Sequence, residues 1–127
     1  MPTITYTLTA AGHNLFRDAS KGAANPKISY VALGTGSNAA LSSDTKLQAE
    51  VYRKAISSYT NGANPGEVIY SLYLAPNDAV GVVIGEVGWY GGNASGTQNT
   101  GTLLARGLYS HTKTALESIN FSLDTTI

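Results

Sequence analysis

The chain of 127 residues is long enough for one domain with a hydrophobic core and too short for two, so a single domain over residues 1–127 is expected. Charged residues make up only 13% of it, and eight lysines and arginines balance eight acids, which argues against the basic footprint of a nucleic-acid binder. There is no cysteine for a disulfide or a thiolate metal site, and no apolar run approaches the ~20 residues that cross a membrane.

The first segment predicts a short strand followed by a helix. Residues 3–8 alternate apolar side chains with threonines, which is the pattern of a half-buried strand. Thr9 is a typical N-cap, and Leu15 and Ala19 recur at helical spacing after it. A helix over residues 10–20 is therefore expected.

From residue 27 onward the apolar period becomes two, which predicts strands separated by turns, including a turn-rich connection over residues 60–66. A short second helix near residues 42–49 is also expected, with Ser42, Ser43 or Asp44 as its cap. The predicted fold is mainly β (α+β), an antiparallel β-sandwich-like domain with one N-terminal α-helix. The predicted strands after the helix are residues 28–33, 51–58, 67–74, 82–90, 102–110 and 116–123.

Residues 34–39, GTGSNA, match the glycine pattern of dinucleotide-binding loops and follow a predicted strand. In such sites a helix begins inside the motif. Here the capping residues come only at residues 42–44, and no second strand–helix–strand unit follows. We interpret the motif as a glycine-rich turn and expect no cofactor.

The sequence carries no pattern of catalytic or metal-binding residues. The two histidines, His13 and His111, are isolated, and neither a nucleophile–base–acid set nor three metal ligands come together. The glutamates fall on four separate segments: Glu50, Glu67, Glu86 and Glu117. We expect a protein that is not an enzyme and that holds no metal.

The segment VIGEVGWYGGN, residues 83–93, places two aromatic residues beside a glycine pair and a polar loop. Trp89 is expected to be the main core aromatic, and Tyr90 to be a subunit contact. Strand alternation predicts that Val83 and Val87 share the face of Trp89. Ile84, Glu86 and Tyr90 are expected on the opposite face.

Glu86 is expected to pair with a cation, because an unpaired buried carboxylate is costly. The candidates within the chain are Arg53 and Arg106, and a partner protein could supply another. The predicted interface residues are Tyr90, Glu86, Tyr73 and Asn93.

Five stretches, taken together, resemble the N-terminal, tail-proximal domain of bacteriophage tail-collar and tail-fibre proteins. TLTAAGHNLFRDA resembles the helix start of that family, KISYVALGTGSNA its strand and Leu-Gly-x-Gly turn, and AEVYRKAISSY its Glu-Val-x-Arg strand. VVIGEVGWYGG is similar to its Ile-x-Glu-Val/Ile-Gly-Leu-Phe pattern, and GTLLARGLYS to the strand that follows. These stretches are residues 7–19, 27–39, 49–59, 82–92 and 101–110, in the family's order.

The resemblance implies a bacteriophage virion structural protein, a tail, baseplate or fibre-attachment module that docks onto other virion proteins. Family members continue into a shaft and a host-binding tip, so the chain is expected to correspond to the attachment module alone. The family's fibres imply a homo-oligomer, either a trimer or a ring. The expected location is the virion, assembled in the bacterial host cytoplasm, since residues 1–9 lack the features of a signal peptide. A capsid decoration (cement) protein is the alternative. Neither nucleic acid nor membrane is an expected partner.

Overall fold

The structure, a computed structural model, describes residues 4–126. It confirms a mainly β domain with one N-terminal helix, built from two antiparallel sheets. The predicted strand start at Thr3 lies outside the described residues. The elements are β1 (Tyr6–Leu8), α1 (Ala10–Ser20), β2 (Ile28–Gly34), β3 (Glu50–Ala55), β4 (Ser58–Asn61), β5 (Glu67–Leu74), β6 (Val83–Gly91), β7 (Thr102–Thr112) and β8 (Ile119–Thr126).

The large sheet has the strand order β1-β7-β6-β2-β3, and the small sheet has the order β4-β5-β8. The chain first passes from one sheet to the other between β3 and β4. At this corner Ile56 N–H donates to Ser29 on β2, and Ser57 N–H donates to Ser71 on β5. The prediction of one strand over residues 51–58, followed by a connection from residue 60, was wrong because the chain changes sheets at residues 56–57.

Helix α1 begins and ends as the sequence predicts. Thr9 is extended, with φ −97° and ψ 155°, and its hydroxyl accepts a hydrogen bond from Gly12 N–H, as an N-cap should. Gly12 lies against the backbone of Leu104 on β7, where a Cβ atom would collide. This close approach packs the helix on the large sheet and buries Leu15. Within residues 4–126 no helix is long and apolar enough to span a bilayer.

The main core fills the space between the two sheets. Trp89 lies at its centre with no exposed surface, which confirms its predicted place. The Tyr6 ring packs edge-on against it at a centroid distance of 5.9 Å, and Tyr70 lies at 6.3 Å. Val87 and Phe121 complete this part of the core from the two facing sheets.

Strand β6 departs from the alternation that the sequence predicts. The pairing of β6 with β7 shifts register between Ile84 and Glu86, as it does at a β-bulge. Ile84 therefore joins Val87 and Trp89 in the main core, while Val83 is 57% exposed. The prediction that put Val83 on the core side and Ile84 on the other was wrong, because one irregularity reverses every residue before it.

No helix forms near residues 42–49, so that expectation was wrong as well. The backbone N–H groups of Leu47, Gln48 and Ala49 donate to the side chains of Tyr90 and Glu86 on β6. These donors would bond to carbonyls one turn back in a helix. Distant side chains satisfy them instead, and the segment stays an irregular loop with a turn at residues 41–44.

Candidate functional site

Two loops cover the outer face of the large sheet. The first, residues 35–49, joins β2 to β3 and is called the β2–β3 loop. The second, residues 92–101, joins β6 to β7 and is called the β6–β7 loop. A small apolar cluster lies beneath them, separate from the main core, and its buried members are Ala32, Leu47, Tyr90 and Leu103.

Glu86 holds both ends of the β2–β3 loop. Its Oε2 accepts hydrogen bonds from Gly36 N–H at 2.9 Å and Ala49 N–H at 2.8 Å, and its Oε1 accepts one from Gln48 N–H at 2.8 Å. The Arg106 Nε donates to Oε1 at 2.8 Å. One carboxylate thus joins the first and last turns of the loop to β6 and β7.

The ionised form of Glu86 is favoured despite its burial. Removal from water alone would raise its pKa, but the three backbone N–H groups and the Arg106 guanidinium outweigh this and hold the pKa below its usual range. The side chain is fully buried. A buried charge that is paired and fully hydrogen-bonded is the arrangement in which such a group is tolerated.

Arg106 extends this network to the middle of the β2–β3 loop. Its Nη1 donates to the Ala39 carbonyl and to Asp44 Oδ2, both at 3.2 Å. Asp44 in turn accepts a hydrogen bond from Leu41 N–H at 2.9 Å. Glu86 and Arg106 together therefore fix the start, the middle and the end of the loop.

A second buried ion pair holds the β6–β7 loop. Arg53 and Glu50, both on β3, form a two-pronged pair with N–O distances of 2.8 and 2.9 Å, and their side chains are 1% and 0% exposed. The remaining Arg53 nitrogen, Nη1, donates to the carbonyls of Ser95 and Thr100, and Glu50 accepts from Asn99 N–H at 3.1 Å.

Tyr90 connects the two loops. Its hydroxyl accepts a hydrogen bond from Leu47 N–H at 2.9 Å, and the Arg53 guanidinium lies 4.4 Å from the centre of its ring. Burial raises the pKa of the Tyr90 phenol to about 12, so it stays neutral. The loops and their supports therefore form one continuous cluster on the outer face of the large sheet.

The structure places the four predicted interface residues in different environments. Tyr90 and Glu86 have no exposed surface, so their prediction as direct partner contacts was wrong: the two loops cover them. Tyr73, 43% exposed, lies on the small sheet, and Asn93 lies exposed in the β6–β7 loop. Their role in an interface stays a prediction.

The expected ion pair of Glu86 is confirmed, with Arg106 as its partner rather than Arg53. Sequence reasoning missed the Glu50–Arg53 pair and the role of both pairs in holding loops. One signal was available, since Glu86 and Arg106 are the only Asp, Glu, Lys or Arg residues in β6 and β7. Such charges on neighbouring strands are candidates for a buried pair.

The glycine motif at residues 34–39 serves the same network. Gly36 N–H, which would face phosphate in a dinucleotide site, donates to Glu86 instead. A Cβ atom at Gly34 or Gly36 would collide with this carboxylate. The glycines let the backbone approach a carboxylate of the protein itself, which agrees with the interpretation as a structural turn.

The histidines lie away from this cluster. His13 is exposed on α1, and His111, on β7, has its Nε2 2.7 Å from Glu117 Oε1. Among residues 4–126 no three histidine, aspartate or glutamate side chains are grouped as metal ligands would be. The hydrogen bonds and ion pairs of the cluster hold the backbone of the two loops in place.

Comparison of the chain with protein-family models, curated proteins and solved structures finds no match.

Proposed function

We propose that the chain is a bacteriophage virion structural protein, a tail, baseplate or fibre-attachment module that docks onto other virion proteins through the β2–β3 and β6–β7 loops. One observation carries the proposal: the residues of the phage-like motifs are the residues that hold these loops. Glu50 and Arg53 are the charged pair of the Glu-Val-x-Arg motif, and Glu86 is the acid of the Ile-x-Glu-Val motif. Arg106 comes from the resembling strand that follows.

Loops whose backbone is fixed before a partner binds are an advantage for a docking protein. Ordering a flexible loop on binding costs free energy, and loops fixed in advance avoid most of that cost. The tips carry exposed polar residues, Ser37 and Asn38 on one loop and Thr97 and Gln98 on the other. These side chains can form hydrogen bonds with a partner while the buried ion pairs below keep the backbone in place.

Apolar surface adjoins the β2–β3 loop and supports the same proposal. Leu41 is 56% exposed and Leu108 is 42% exposed. Leu108 shares a surface hollow with Ala39, Ala40 and Ile4. Apolar surface next to polar loop tips is the composition of a protein–protein interface, with an apolar centre and a polar rim.

Labelling and counting the protein in purified phage particles tests the proposal. Gold-labelled antibodies against the chain should mark the tail or baseplate, and quantitative mass spectrometry should find it in small multiples of three or six. Hundreds of copies with label over the head would instead indicate the capsid decoration protein. Absence from washed particles would overturn the virion assignment.

Loop variants test the docking surface itself. Asn38→Arg and Gln98→Arg place a long cation at each loop tip, and each should lower incorporation into particles at least tenfold while the thermal midpoint stays unchanged. Thr60→Arg is the matched control, because Thr60 is also exposed but lies on the small sheet. Equal incorporation of all three variants would show that the loops are not part of the docking surface.

A further inference from the structure

Within residues 4–126 the two sheets have four edge strands, and three of them carry features that discourage pairing with another chain. β1 has three residues and β4 has four, and both are short for an added strand. β3 carries three charged residues among its six, Glu50, Arg53 and Lys54, and lies beside the register shift at Gly34. Short length, charges and irregular pairing are the usual protections of an edge strand.

The edge of β8 has few of these protections. All eight residues from Ile119 to Thr126 pair with β5 in continuous register, without a bulge. The strand has one charge, Asp124, and neither lysine nor proline. Within residues 4–126 β8 pairs only with β5, so its other side offers backbone donors and acceptors to a new strand.

The sequence of β8 is complementary to itself in one antiparallel register. If a two-fold axis places Ser122 opposite Ser122 of a second copy, Phe121 faces Leu123, and Asn120 faces Asp124. Phe121 and Leu123 point into the main core, and the other three lie on the outer side. Apolar residues then meet apolar ones, and the Asn120 amide can donate to the Asp124 carboxylate twice, once on each side of the axis.

The same register continues a row of small side chains across the small sheet. Ser58, Ser71 and Ser122 are direct cross-strand partners on β4, β5 and β8. The two-fold pairing extends this row from three serines to six. It also joins two three-stranded sheets into one of six strands.

We propose that two copies of the chain associate through their β8 edges, in antiparallel pairing centred on Ser122. The partner is a second copy because the register matches faces and hydrogen-bonding groups without help from another protein. A two-fold contact of one patch with itself closes the assembly at two copies, in place of the trimer or ring that the phage resemblance implies. The inference does not rest on the proposed function: the location and copy number in particles test that function, and the mass of the isolated protein tests the dimer.

Mass and hydrogen exchange test the pairing. Sedimentation equilibrium between about 1 and 200 μM should show a species of twice the 13.2 kDa chain mass that dissociates on dilution. Amide exchange should slow with concentration along β8 and stay unchanged along β4. A monomer throughout this range, or a trimer or larger ring, would overturn the proposal.

Two changes at Asn120 probe the register in opposite directions. Asn120→Asp places like charges opposite each other on both sides of the axis and should weaken the dimer about tenfold. Asn120→Lys creates two opposite-charge pairs with Asp124 and should strengthen the dimer several-fold, and adding Asp124→Lys to it should reverse the gain. Asn120 is exposed, so the fold should survive these changes.

Ser122→Lys and Ser58→Lys form a matched pair for the axis itself. Both positions are serines of the same row, but only Ser122 meets its own copy. Ser122→Lys should therefore give a monomer, and Ser58→Lys should leave the dimer unchanged. Equal dimerisation of the Asn120 variants and Ser122→Lys would show that the copies meet elsewhere and would overturn the proposal.

Discussion

The two outer faces of the sandwich differ in what covers them. The outer face of the large sheet lies under two loops and buries the charged side chains of Glu50, Arg53, Glu86 and Arg106. The outer face of the small sheet carries exposed serine, threonine and asparagine, without a covering segment among residues 4–126. A quarter of the sixteen lysines, arginines and acids in the chain are thus buried on one face. These four charges organise loops inside the protein, and neutral polar groups cover much of the surface.

Removing the carboxylate of Glu86 should destabilise the loop-covered face more than any other single change proposed here. Glu86→Gln should lower the free energy of unfolding by about 3–5 kcal/mol, because Arg106 loses its buried partner and three N–H groups lose a charged acceptor. Asp124→Asn on the small sheet changes an exposed side chain and should leave the free energy of unfolding nearly unchanged. Urea unfolding of both variants measures this. Equal effects would mean that the network contributes no more than a surface charge.

Crowding the same carboxylate from the loop side should have the next largest effect. A methyl group at Gly36 collides with Glu86, so Gly36→Ala should cost about 1–3 kcal/mol. Gly96→Ala is the control, because no neighbouring atom lies within 4 Å of the added Cβ. That variant should be neutral or slightly stabilising. Thermal melts decide, and a harmless Gly36→Ala would show that the loop can move away from β6.

The hydroxyl of Tyr90 offers a smaller, local test. Tyr90→Phe removes the acceptor of Leu47 N–H and leaves that donor buried, at a cost of about 1–2 kcal/mol. Tyr73→Phe on the small sheet changes a side chain that is 43% exposed and should cost almost nothing. Denaturant midpoints compare the two, and similar midpoints would contradict the role of Tyr90 as the link between the loops.

Acid should affect the contributions of Glu86 and Asp124 to stability in opposite senses. The pKa of Glu86 is lowered in the folded protein, so its stabilisation is present above its unfolded value of about 4.3 and is lost as the pH falls through the folded pKa. The hydrogen bond with Glu67 and burial raise the pKa of Asp124, whose contribution is therefore present at low pH and lost as the pH rises. Stability curves from about pH 6 to 3 should make wild type and Glu86→Gln converge. As the pH falls over the same range, the free energy of unfolding of the wild type should rise relative to that of Asp124→Asn. Parallel curves would contradict the assignments of both Glu86 and Asp124.

The local sequence pattern was enough to predict the bounds of some elements. The α1 bounds, Ala10–Ser20, and the β5 bounds, Glu67–Leu74, match the predicted residues, because a cap and a steady apolar period define them. The fold class followed from the number of such strands. It follows that elements defined by their own residues can be recognised without knowledge of their neighbours.

The loop network could not be predicted in the same way. The bonds from Gly36 and Gln48 to Glu86 join residues 50 and 38 positions apart, and no local period reports them. Serines and an aspartate at residues 42–44 indicated a helix cap, but distant carboxylate and phenol groups took up the donors that a helix would use. Strand alternation failed before Glu86 because the bulge depends on pairing with β7.

Native-state hydrogen exchange at the loop amides tests the central claim most directly. If Glu86 and Tyr90 hold the β2–β3 loop, the amides of Gly36, Leu47, Gln48 and Ala49 should exchange as slowly as those in the middle of β6, although they lie outside any strand or helix. The amide of Gly66, exposed in the connection between β4 and β5, should exchange quickly. Equally fast exchange in both segments would contradict the account.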